Sequence, residues 1–150
     1  MTIIIDRPRP EDWPRWRQLY EGYASFYRVP MDDAIAGRLW SWIHDPAHVV
    51  EAFLARDETG TPIGLAHFRA MPRPLGGNEI GFLDDLFVDP AHRGGAVARL
   101  LLEAVAAEAA RRGWAKVRWI TADDNYRART LYDRVATRTM WITYEMPATP

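Results

Sequence analysis

The chain contains no cysteine. A disulfide, a thiolate nucleophile and a Cys-ligated metal are therefore excluded from its chemistry. It has no surplus of either charge: 19 basic and 20 acidic residues leave a formal net charge of −1 at pH 7. That balance gives no support to a dedicated nucleic-acid binder, whose footprint is a basic excess, so no nucleic-acid partner is expected. No apolar run approaches the roughly 20 residues of a membrane-spanning helix, and no charged-then-apolar leader opens the chain. A soluble, cytoplasmic protein without a membrane partner is the expectation. Neither a Walker-type Gly-Lys-Ser/Thr loop nor a GxGxxG fingerprint is present, which disfavours a nucleotide- or dinucleotide-binding protein. No repeat or linker divides the chain, and residues 1–150 are read as a single domain.

What is present is enough for a real core. At 150 residues, 48% of them apolar, the chain has the size of one ordinary domain. Seven tryptophans suit either a heavy core or the aromatic walls of a pocket.

Ile3, Ile4 and Ile5 predict an opening strand, stopped by Pro8 and Pro10. Trp13, Trp16, Leu19 or Tyr20, Tyr23 and Tyr27 recur at helical steps and predict an amphipathic helix over 11–27. One reading of that stripe is core; the other places Tyr20, Glu21, Tyr23 and Tyr27 along a substrate cleft. Asp32 and Asp33 start a second helix that Pro46 closes. His44 and His48 lie four apart, but Asp45-Pro46 interrupts the helix that would join them, so no metal site is expected. Strands are predicted over 49–56 and 63–71, joined by the turn Asp57-Glu58-Thr59-Gly60. Pro72 to Asn78 reads as a loop. A further strand over 116–121, a short helix over 124–135 and one or two strands over 137–146 complete the expectation.

The chain is organised around residues 82–99, FLDDLFVDPAHRGGAVAR. An apolar strand ends at Pro90, and Gly94 and Gly95 lead into a long helix over 95–112, capped by Gly113. A helix start offers unpaired N–H groups and the positive end of the helix dipole. Small residues give an anion access to those donors, and Arg93 and Arg99 add full charges. The physical reading is a phosphate or pyrophosphate site.

These residues resemble the acyl-CoA loop of the Gcn5-related N-acetyltransferase (GNAT) family, Arg/Gln-x-x-Gly-x-Gly/Ala, through Arg93-Gly94-Gly95-Ala96-Val97-Ala98. Ala96 stands where the pattern has its first Gly. The stretch ADDNYRARTLYDRV resembles the family's closing motif through Asn125, Ala128, Leu131 and Tyr132, and the usual Gly-Phe is replaced near Val135-Ala136. Within the family, the likeness is to the yeast Hpa2-like and spermidine/spermine acetyltransferase branch. The resemblance implies a mixed α/β acyl-CoA N-acyltransferase fold, with about six or seven strands and about four helices. It implies acetyl-CoA as co-substrate, a primary amine of a small amine, polyamine, amino acid or protein lysine as acceptor, and a homodimer. Arg93 through Arg99 (Arg93, Gly94, Gly95, Ala96, Val97, Ala98 and Arg99), with Asn125, Ala128 and Tyr132, are implied as cofactor residues.

Amine acetylation needs a neutral amine, a polarised thioester carbonyl and a proton for the departing thiolate. Free N–H groups along Leu86, Phe87 and Val88 could polarise the carbonyl where a parallel strand splits away. Tyr132 is the candidate acid, because a phenol pKa near 10 lies above that of a thiol. Asp84 and Asp85 are strand neighbours whose side chains are expected to point opposite ways. By resemblance Asp84 takes the place of a substrate-facing Glu, working through water, with Asp85, Glu79 and Glu21 in reserve. Asp84 is thus the candidate base and Asp85 a further substrate contact. A non-catalytic acyl-CoA-binding module is the competing expectation.

Overall fold

The computed structural model describes all 150 residues. They form two compact units, Met1–Ile120 and Thr121–Pro150. In the first, a five-stranded sheet runs in sequence order: β1 (Ile4–Asp6), β2 (Val50–Arg56), β3 (Pro62–Arg73), β4 (Asn78–Val88) and β5 (Val117–Arg118). Consecutive strands pair antiparallel through β4, and β4 pairs β5 in parallel.

Helices cover both faces of this sheet. α1 (Trp13–Phe26) and α2 (Asp33–Ile43) bury Trp16, Leu19 and Ala36 against Leu54, Leu65 and Phe87. Leu54, Leu65 and Phe87 are register partners on β2, β3 and β4, so one row of side chains makes the floor of this core. α3 (Val97–Arg112) takes the other face. The Cα of Gly64, next to Leu65, points its missing side chain at Val97 and Leu101, as the two-residue period of a strand requires. Asp32 caps α2 by accepting the Ile35 N–H at 2.8 Å.

A buried ion cluster ties β1 to β2 and to the turn before α1. Arg56, 4% exposed, donates to Asp6 at 2.6 Å and to both oxygens of Asp12 at 2.8 and 2.7 Å. Asp12 also accepts the Arg9 N–H at 2.8 Å. The Arg56 hydrogen bonds hold the Asp12 carboxyl below the usual carboxylate range.

In the second unit, α4 (Tyr126–Val135) is followed by a chain with no regular structure. The Asn125 side chain donates to Thr121 at 3.3 Å, and Thr130 back-bonds to the Tyr126 carbonyl at 2.9 Å.

The structure corrects several boundaries. No strand forms over 137–146, where Met140, Trp141, Ile142 and Tyr144 are exposed; β-branched and aromatic content alone does not make a strand without a partner to pair with. The sheet therefore has five strands rather than six or seven. β5 covers only Val117–Arg118 of the expected 116–121. Pro72 does not end β3: it pairs with Glu79 inside the ladder, and the reversal is a short 3-10 turn at Pro74–Gly76. Pro72 lies beyond Arg69, the last β3 residue paired with β2, so β3 has a neighbour on one side only at that point.

Candidate active site

The β3–β4 ladder carries an irregularity at the acidic pair. His67 pairs with Asp85 and Phe68 with Leu83, so Asp84 has no register partner. One extra residue on β4 is a β-bulge, which re-aims side chains and breaks strict alternation. The expectation that Asp84 and Asp85 point to opposite faces does not allow for this bulge. Asp84 accepts from Arg69 Nε at 3.0 and 3.3 Å and keeps 32% of its side chain exposed. Asp85 is more enclosed, at 16% exposure, and its Oδ2 lies 2.8 Å from His67 Nδ1 and accepts from the Tyr20 hydroxyl at 3.2 Å.

Their environments push the two carboxyls apart. Burial raises Asp84 above the usual carboxylate range, against the pull of Arg69. Burial would raise Asp85 as well, but the hydrogen bonds from His67, Tyr23 and Tyr20 outweigh it and hold the group low. A pair separated in this way supplies a fixed anion next to a better proton acceptor.

α1 supplies the wall over this pair. Tyr20 stacks on Tyr23 with centroids 5.7 Å apart, and Tyr27 meets Tyr23 edge-on at 5.0 Å. The Tyr23 hydroxyl points at the Asp84 carbonyl at 3.5 Å. Burial, then the charge of Asp85, raises both Tyr20 and Tyr23, so they remain hydrogen-bond donors at any ordinary pH. Glu21 is not part of this group: it accepts from Arg17 at 2.7 Å, and Arg17 also reaches Asp33 on α2. Glu79 sits at the far end of β4, where its carbonyl accepts the Ala115 N–H at 3.2 Å.

Beyond the bulge, β4 continues past its parallel neighbour. The β4–β5 register covers Gly81 with Val117 and Phe82 with Arg118, while β4 runs on to Val88. Leu86, Phe87 and Val88 therefore lie on a stretch of strand that β5 does not accompany. α1 comes close to it: a Cβ on Gly22 would stand 2.8 Å from Phe87 Cζ. A cleft of about 370 Å³ opens here, lined among others by Arg15, Gln18, Gly22, Phe87, Asp89 and Arg93. Arg15 bonds Asp89 and donates to the Pro62 carbonyl at 2.9 Å.

After Asp89 the chain enters the turn before α3. Gly94 adopts φ +83°, a left-handed conformation that favours glycine. Gly94, Gly95 and Ala96 are exposed. Ala96 is the N-cap and offers no side-chain acceptor, so the first amides of α3, at Val97, Ala98 and Arg99, are not capped by it. Arg93 donates to the Val88 carbonyl at 3.1 Å and lies over the Phe87 ring at 5.2 Å, tying the turn to the end of β4. Arg99 pairs with Glu103 one turn along the helix. Open amides, small residues and cations together fit an anionic phosphate.

In the second unit, Asn125, Ala128 and Tyr132 follow one another along the start and middle of α4. Tyr132 is half-buried, and its carbonyl accepts the Ala136 N–H at 2.9 Å.

Sequence reasoning missed Trp16, His67 and Arg69. Trp16 was visible only as one ring of an apolar stripe. His67 and Arg69 belong to the site because of the β3–β4 register, which depends on the hairpin turn and the bulge rather than on local pattern. A lone histidine inside an apolar strand was the one available signal.

A five-stranded sheet whose β4 outruns β5, with an open basic helix start at its end, is the frame of an acyl-CoA-dependent acyltransferase. Residues 13–136 match the acetyltransferase (GNAT) family, and the chain belongs to it. The D-amino-acid N-acetyltransferase HPA3 of Saccharomyces cerevisiae is 31% identical over 144 residues, spanning 95% of this chain and 89% of that protein. Among solved structures, a ribosomal-protein-alanine N-acetyltransferase of Brucella melitensis superposes with a TM-score of 0.79 at 26% identity, over 98% of this chain and 100% of that one. The aminoglycoside N-acetyltransferase AAC(6')-Iy, solved in complex with CoA, superposes with a TM-score of 0.83 at 19% identity, over 99% and 96% of the two chains. The fold is the mixed α/β fold of these enzymes, and the chain is an acetyl-CoA-dependent N-acetyltransferase.

Proposed function

We propose that this protein transfers the acetyl group of acetyl-CoA directly to the primary amine of a small molecule, with amino acids the first class to test. The observation that carries the reading is the bulge, which sets the Asp85 carboxylate against Tyr20 and the Asp84 carboxylate beside Arg69. Two carboxylates suit an ammonium group, and Arg69 beside Asp84, 34% exposed, suits the carboxylate of an amino acid. The likeness to a D-amino-acid N-acetyltransferase points the same way. Tyr20, Tyr23 and Tyr27 line the acceptor side; Glu21, held by Arg17, contributes charge at most.

The residues are assigned as follows. An alkylammonium has a pKa near 10 and must lose a proton before it can attack; Asp84 takes that proton through water. The amine nitrogen then forms a bond to the acetyl carbon while backbone N–H groups of Leu86, Phe87 and Val88 stabilise the carbonyl oxygen. The carbon–sulfur bond breaks, Tyr132 gives its proton to the sulfur, and the second proton shed by the nitrogen as the amide forms passes through water to restore the Tyr132 phenol. The turn from Arg93 to Arg99 holds the pyrophosphate, and Asn125 and Ala128 are assigned to the cofactor by their place in the family motif. This reading takes residues 1–150 as one functional domain. It takes the protein as a cytoplasmic homodimer, which sedimentation equilibrium of the purified chain tests; no helix is long and apolar enough to cross a membrane.

The experiment is thiol release from acetyl-CoA with a panel of D- and L-amino acids, polyamines, aminoglycosides and lysine peptides. Turnover with small amines, amino acids foremost, is expected. Acetyl-CoA binding by calorimetry without turnover on any amine would instead make the chain a binding module.

A further inference from the structure

Behind the acidic pair lies a buried polar chain that the assigned steps do not use. Trp16 Nε1 donates to His67 Nε2 at 3.0 Å, and both residues are sealed, at 0% and 1% exposure. An indole N–H can only donate, so Nε2 is the acceptor and the ring proton sits on Nδ1. That proton points at Asp85 Oδ2, 2.8 Å away. A doubly protonated ring would set two donors face to face across the Trp16 contact. His67 therefore cannot serve as the base itself: one nitrogen is occupied by Trp16, the other by Asp85, and no face reaches solvent. His67 and Tyr20 both bond Oδ2, and Tyr23 adds a hydrogen bond to the same carboxylate. The carboxylate is fixed from behind while 16% of its side chain stays exposed.

We propose that Asp85 is the permanent anion that holds the acceptor's ammonium group, and that Trp16 and His67 are positioning residues that lock it in that state. The inference rests on the reading that the acceptor is an amine. It divides the work of the pair: Asp85 binds the cation, and Asp84, outside the lock, receives the proton. The groups facing His67 are Asp85 and Asp84 from β4 and Tyr20 and Tyr23 from α1, with Arg69 on its own strand; β2 opposes it with Ala52. α2 reaches this point through Trp40, which packs on Trp16 at 4.7 Å. Tyr20 and Tyr23 stay neutral donors, so Asp85 carries the charge that His67 answers.

The test begins with the full chain carrying ¹⁵N-labelled histidine. The His67 shifts at neutral pH should report a protonated Nδ1 and a bare Nε2; the opposite tautomer, or a doubly protonated ring, overturns the lock. Asp85→Asn should raise the acceptor KM about ten- to hundredfold, the usual worth of a charge-assisted contact, with the KM for acetyl-CoA unchanged. Trp16→Phe, which removes the donor to His67 Nε2, should raise the acceptor KM with the KM for acetyl-CoA unchanged. His67→Asn, which keeps a donor toward Asp85, should retain more acceptor affinity than His67→Phe. An enzyme that acetylates amines but keeps its acceptor KM in Asp85→Asn overturns the anchor while leaving the function intact. A wild type that acetylates no amine overturns the functional reading instead.

Discussion

At the scale of single residues, the chemistry rests on small differences between neighbours. Asp84 and Asp85 are adjacent in the chain, yet one pairs with Arg69 near solvent and the other with His67 and Tyr20. Asp84→Asn is expected to lower kcat on amines and to remove the acid limb of the kcat/KM profile. That limb lies above the usual carboxylate range, because burial raises the group. A pH–rate series on both proteins checks it. Tyr132→Phe removes one hydroxyl and keeps the ring, so packing should hardly change. General acid catalysis is worth about 10²–10⁴-fold, and CoA thiolate is already a fair leaving group, so the lower end is expected. The loss should fall on kcat, with little change in the KM for acetyl-CoA, where chemistry limits the rate. The residue types around the bulge were legible in the sequence: both aspartates and the tyrosines of α1 could be picked out by pattern. Their division of labour was not, because it depends on which side chains a bulge brings against them.

At the scale of elements, the turn between β4 and α3 is the proposed seat of the co-substrate's pyrophosphate. Its left-handed Gly94 and uncapped Ala96 leave the helix amides open. Arg93→Ala should weaken acetyl-CoA binding by about 1–3 kcal/mol, read by calorimetry, with the thermal midpoint followed in parallel because Arg93 also braces Val88 and Phe87. Gly94→Ala forces a Cβ into the left-handed region at a cost of about 1–2 kcal/mol and should loosen the same binding. Elsewhere, Asp32→Ala should cost about 1 kcal/mol of stability by urea unfolding, the usual loss of an N-cap. The helices were readable because each carries its own period and end signals. The edges of the sheet were not: β5 shrinks to Val117–Arg118, and the apolar stretch 137–146 forms no strand. A strand exists only where a neighbour accepts its hydrogen bonds, and no local pattern announces that neighbour.

At the scale of the whole molecule, stability has an acid-sensitive anchor in the Arg56 cluster. Asp12 is held below its ordinary range by Arg56, so its contribution is fully present above the unfolded carboxylate pKa and is lost as pH falls through the depressed folded value. Asp12→Ala leaves Arg56 buried with Asp6 as its remaining carboxylate. The variant should be less stable than the wild type by about 3–5 kcal/mol near neutrality. The gap should narrow in strong acid, where the wild type also loses the charge. Urea unfolding of both proteins at pH 7 and in acid measures the difference.

The sequence by itself determined the class of this protein. A strand, a proline stop, small residues between arginines and a long helix are local features, and they carry the family without help from distant parts of the chain. The closing Asn-x-x-Ala-x-x-Leu-Tyr motif is equally local. Only the tertiary structure decided the surroundings of the acidic pair. The β-bulge breaks the alternation that strand geometry would impose, and the register across β3 puts His67 behind Asp85. Trp16 reaches His67 from α1, at a sequence separation of 51 residues. Hydrogen-bond partners so far apart in the chain are selected by packing, since the buried N–H of Trp16 had to find an acceptor and His67 was the one the fold placed within 3.0 Å.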